Sequence, residues 1–162
     1  MLKFLPALAL IAMMLLTGCP AETTSPSDDA DNTFRVDGSG YSNVLVTTTS
    51  EGRVAIESDD IGSVLLIGTV GDESFSTTLT IEDVRTGTIQ INQSQGVGLS
   101  VGIVKDGVSK FFFATSGTIT MTTWGGVGGA AEGSFTASAI QTPGSQQVSI
   151  SGKFKISPII SE

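Results

Sequence analysis

From Thr33 onward, apolar residues recur at every second position in short runs that Gly, Asp, Asn and Ser interrupt. That period sends alternate side chains to opposite faces of an extended chain, so it dictates half-buried β-strands and leaves little room for helix. Phe75, Leu79 and Ile81 share one parity, as do Ile89 with Ile91, and Val97, Leu99, Val101 and Ile103. Val148, Ile150, Phe154 and Ile156 repeat the pattern, with Gly152 at the intervening inward position, where it marks a bulge or a close approach. Each set predicts one buried face.

Turn signals at Asp37-Gly38, Glu51-Gly52, Asp59-Asp60, Gly71-Asp72, Asp106-Gly107 and Pro143-Gly144 divide these runs. Asp106-Gly107 is the best two-residue hairpin, joining a strand over 97–105 to one over 108–114. Roughly nine to eleven short strands in one antiparallel all-β body predict a β-sandwich, whose inner faces cover one another. Closure into a barrel has no separate support in the sequence, and a membrane-spanning barrel is not expected from strands this short without paired aromatic girdles.

The amino terminus follows a different logic. Lys3 precedes an apolar run from Phe4 to Leu16, about a dozen residues, too short for an ordinary spanning helix and suited to the core of a secretory signal. Leu16-Thr17-Gly18-Cys19 follows, with the chain's single cysteine. These residues resemble the lipobox of bacterial lipoproteins. The resemblance implies cleavage between Gly18 and Cys19, a diacylglyceryl group on the Cys19 thiol and acylation of the new amino terminus. Pro20 stands where an Asp retains many such proteins in the inner membrane, so the outer membrane is favoured if the host is Gram-negative. Residues 1–18 are then a signal peptide. Residues 19–32, rich in Ser, Pro and Asp, form a disordered tether, and residues 33–162 form a single β domain.

Sixteen acidic residues face eight basic ones, a formal net charge of −8. Phosphate neutralisation needs clustered Lys and Arg, so a nucleic-acid partner is not expected. There is no histidine, which removes the commonest general base and metal ligand. The serines and threonines therefore lack an activating imidazole, and no nucleophile elbow is present. The pairs Asp59-Asp60, Asp72-Glu73 and Glu82-Asp83 are the only acid–base candidates, yet neighbours on a strand point to opposite faces and make no dyad. Asp28, Asp29 and Asp31 lack the Gly and later Glu of a calcium loop. No metal, no cofactor and no catalytic residue is expected.

Two aromatics are candidate ligand contacts. Trp124 beside Gly125-Gly126 offers a flat face to a sugar ring, with Tyr41 as a second such group; core or edge packing is the competing role. Phe111-Phe112-Phe113 is unusual because alternation sends its middle ring away from its neighbours. It marks either an interaction patch or a strand covered on both faces, and burial on both faces is the expectation.

Ser116 to Thr120, Gly133 to Phe135 and Gly152 to Phe154 give a strand followed by two Gly-x-Phe strands. This last third resembles the carboxyl-terminal hairpins of uncharacterised β-sandwich domains in secreted bacterial lipoproteins, which implies a fold and a location without an activity. The function expected is thus a membrane-anchored envelope lipoprotein, a non-catalytic structural or protein-interaction module using loops or an exposed sheet edge. The alternative is a carbohydrate or small-ligand module, and a hydrolase comes third. The membrane, through the anchor on Cys19, is the first partner expected; an envelope protein or a glycan is the second.

Overall fold

The computed structural model describes residues 31–162. The signal peptide, Gly18, the lipid site at Cys19 and all but the end of the tether lie outside the described residues. Ten strands follow: β1 (Thr33–Gly38), β2 (Tyr41–Ser58), β3 (Ile61–Val70), β4 (Glu73–Glu82), β5 (Gly87–Gln90), β6 (Val97–Lys105), β7 (Val108–Trp124), β8 (Ala131–Gln141), β9 (Gln147–Ile156) and β10 (Ile160–Ser161). A short 3-10 turn, Gln93–Gln95, precedes β6.

The all-β, antiparallel body is as expected, but its two faces do not form a sandwich. β1 pairs with β2 on one side and with β9 on the other, both antiparallel. Eight strands thereby close in the order β1-β2-β3-β4-β6-β7-β8-β9 and back to β1, with β5 added on β7 and β10 parallel to β2. Closure requires strong curvature, which bulges supply. Register shifts fall in β2 between Thr48 and Arg53, and in β7 between Ala114 and Ser116 and between Met121 and Thr123. Glu51-Gly52, expected to reverse the chain, lies instead in the irregular stretch of β2. The other signals sit where expected: Lys105 faces Val108 across Asp106 and Gly107, at φ 50° and 75°, the left-handed pair that a tight hairpin needs.

All the parity sets named above are buried. They fill the barrel with side chains, Phe34, Phe75, Phe112 and Phe154 among the largest, in keeping with the narrow lumen of eight strands. Glycines at inward positions make room for the rings. On β8 and β9, Gly133 pairs with Phe154 and Phe135 with Gly152, so each Gly-x-Phe motif receives the other's ring. A Cβ on Gly152 would come within 2.4 Å of the Phe135 ring, and one on Gly133 within 2.8 Å of the Phe154 ring as well as 2.5 Å from the Thr120 carbonyl oxygen. Gly152 is a close approach with unbroken register, not a bulge. Outside, Ser134, Thr136 and Ser138 alternate with buried Phe135 and Ala137. The strands are longer than expected, reaching 18 residues in β2 and 17 in β7, so shortness does not separate this barrel from one that faces lipid.

Candidate functional site

Barrel geometry leaves two ends, and the two candidate aromatics occupy different ones. Trp124 closes the end opposite the Tyr41 hairpin. Its ring is half-buried over Gly62, where an added Cβ would lie 2.9 Å away, and its Nε1–H donates to Glu57 Oε2 at 3.1 Å. Val84 and Ile159 pack at the same end. The glycine loop beside it is tied down by backbone bonds: Gly128 N–H donates to Ile159 O, and Ile159 N–H to Gly129 O. Trp124 is thus engaged in packing and does not converge with Tyr41.

The other end is a mouth formed where β1 meets β2, β3 meets β4 and β6 meets β7. There an open hollow of about 410 Å³ is lined by Ser39, Tyr41, Glu73, Phe75, Lys105 and Lys110, among others. Tyr41 stands edge-on to Phe75, ring centroids 5.6 Å apart at 78°. Glu73 continues the inward parity of Phe75, Lys105 that of Ile103, and Lys110 that of Phe112. Each strand therefore carries a charge at the point where its core-facing row reaches solvent.

Glu73 Oε1 accepts from Lys105 Nζ on the adjacent strand β6, while the covered Oε2 has the Tyr41 hydroxyl as its neighbouring donor, outside close hydrogen-bond distance. The carboxylate is mostly covered, with 17 % of the side chain exposed against 60 % for Lys105. The Lys105 contact holds the Glu73 carboxyl below the usual range despite its desolvation, and the carboxylate raises Lys105 in return. Burial, then the Glu73 charge, pushes the Tyr41 phenol up. The hollow thus presents a lysine–carboxylate pair beside a phenol, with Lys110 at its border.

The paired acids fall at turns and strand ends. Asp59 and Asp60 form the tip between β2 and β3, and Asp83 pairs with Arg85 at the surface. Glu73 alone joins the mouth, with Asp72 left in the turn. Among the described residues, no three His, Cys, Asp or Glu side chains gather to hold a metal.

Phe111-Phe112-Phe113 departs from its expectation. Phe112 is buried, but Phe111 and Phe113 are 52 % and 44 % exposed on the outer wall. Phe111 lies over Gly102 of β6, in one register row with Ser76 of β4 and Ile67 of β3. Exposed Val104 is two residues along β6. Closure leaves this patch as wall surface, and the free sheet edges are those of the added strands β5 and β10.

No protein-family model, no curated protein and no solved structure matches the chain.

Proposed function

We propose that the protein is a lipid-anchored component of a bacterial envelope whose barrel docks a partner protein and performs no chemistry of its own. The observation that carries this reading is the outward pair Phe111 and Phe113, extended by Ile67 and Val104 on the outer wall. Large aromatic side chains left on a surface mark interaction sites, and their burial supplies most of an interface's energy. The filled interior supports docking outside over carriage of a ligand within. Secretion and anchoring rest on Lys3, the apolar run and the Leu-Thr-Gly-Cys sequence. A single acyl chain binds only marginally, and the two or three implied at Cys19 anchor stably. With Pro20 after the cysteine, the outer membrane is the destination in a Gram-negative host.

One experiment joins both halves. A photo-crosslinking residue at position 111, or at Ser134 on another part of the wall, is introduced into full-length protein in the producing bacterium, with and without Cys19→Ala. The expected outcome is acyl mass and membrane fractionation that vanish in the Cys19 variant, and one discrete adduct from position 111 that position 134 does not give. Equal labelling from both positions, or none, removes the docking reading.

A further inference from the structure

The Phe111 wall has the charge and the relief of a face that fits itself. The outward-facing positions within 63–69 of β3, 74–80 of β4, 98–104 of β6 and 109–113 of β7 hold no Asp, Glu, Lys or Arg. By contrast, the outward rows of β1, β8 and β9 carry Arg35, Asp37, Glu132, Lys153 and Lys155. Interface cores are depleted of charge. In a chain of formal net charge −8, two copies approach at least cost through a face that carries none.

The relief of this face has two parts. Phe111 and Phe113 form a ridge on β7, with half-buried Ile140 of β8 opposite Phe113. Beside it the outward positions are small: Gly98, Ser100 and Gly102 on β6, then Ser76 and Thr78 on β4. Ile67 and half-buried Leu65 on β3 form the far bank. Small side chains at the middle of a curved wall, with large ones on either flank, make a trough of it. At one end an open hollow of about 240 Å³ lies over Gly98 and Ser100 beside Phe113, with room for a ring. Ridge and trough run along adjacent strands. A two-fold axis normal to the wall, between β6 and β7, therefore sets the ridge of each copy in the trough of the other. Four strands about 4.8 Å apart, with four outward positions about 6.7 Å apart, give a face of about 500 Å². A pair covers about 1,000 Å², the threshold of a specific interface. So modest a contact gains from the high effective concentration of copies held on one membrane.

Resting on the docking role of this wall, we propose that its partner is a second copy of the same chain. Phe111 of each copy sits in the other's hollow over Gly98 and Ser100, and Phe113 lies along the trough. Any other partner would have to supply both a ridge for the trough and a trough for the ridge; a second copy has both.

The test is made in the producing bacterium with two full-length copies that carry different epitopes. One copy has a benzophenone side chain at position 111, which keeps a ring there. Photolysis is expected to give an adduct with both epitopes and twice the mass of one chain, and none when the benzophenone is at position 134. Gly98→Lys in the other copy fills its hollow and should cut the adduct at least about tenfold. Nothing lies within 4 Å of a Cβ at Gly98, so the substitution leaves that copy's own packing alone. Thr136→Lys, exposed on β8, should leave the adduct unchanged. A discrete adduct of position 111 with a different protein overturns the second copy while the docking reading stands. No adduct from position 111, or equal adducts from 111 and 134, overturns both. A two-epitope adduct that a folded Gly98→Lys leaves undiminished overturns the seating of ridge in trough. Should Gly98→Lys lose its fold, Ser100→Lys serves in its place, with the same loss expected and an undiminished adduct overturning the proposal.

Discussion

At the scale of single residues, space decides more than propensity. Gly152 is flanked on both sides by aromatic residues in register, Phe34 on β1 and Phe135 on β8. Gly152→Ala therefore forces rings that have no free direction, and a loss of about 1–3 kcal/mol in chemical denaturation is expected. Gly98, with nothing within 4 Å of an added Cβ, is the control: Ala there should be neutral or stabilise by up to about 1 kcal/mol. Equal losses at both would show that backbone freedom, not ring contact, sets the cost. The mouth makes a second demand at this scale. Glu73 is lowered, so its contribution is present above the unfolded carboxyl range near pH 4.5 and fades as pH falls through the folded value. Lys105 is raised, so its share is present below about pH 10.5 and fades as pH rises through the folded value. Wild type and Glu73→Gln should accordingly differ most in melting temperature near neutrality and converge at both extremes. A difference independent of pH would mean that the pair contributes through shape alone.

At the scale of elements, the strands were legible and their closure was not. Alternation within Phe75–Ile81, Val97–Ile103 and Val148–Ile156 is local, and every residue named there is buried. Joining β1 to β9 depends on a register between segments more than a hundred residues apart, for which alternation carries no signal. The candidate site was partly legible. Tyr41 lines the mouth and Glu73 was read only as half of an acid pair, whereas Lys105 and Lys110 were passed over, although a charge continuing a core-facing parity at a hairpin end is the mark of a rim. The boundary of the body also shifts. Asn32, read as tether, is 3 % exposed; its Nδ2–H donates to Lys155 O at 3.0 Å and its Oδ1 accepts from Lys155 N–H at 2.9 Å. Its own carbonyl accepts from Thr48 N–H. This clasp joins β1 to the end of β9, so Asn32→Ala leaves two part-buried backbone groups of Lys155 without their partner and should cost about 1 kcal/mol or more. Hydrogen exchange should speed at Lys155 while β3 and β4 stay protected; uniform loosening would assign Asn32 no local role.

On the scale of the whole molecule, the closed ring confines unpaired edges to the two short added strands, β5 and β10, where an open sheet would present two long ones. Beside them, side chains provide an apolar patch on one wall and a charged mouth. The direction of β1 sets where the tether joins relative to that mouth. The chain joins the barrel at Asn32 and β1 then runs to the hairpin beside Tyr41, about 20 Å of strand between the two. From Cys19 to Asn32 the covalent chain can reach at most about 45 Å. A lipid on Cys19 would therefore be joined to the barrel at the end away from Tyr41, and a tether of that reach, longer than the strand itself, would leave both the mouth and the Phe111 wall free to turn toward a partner above or beside the membrane.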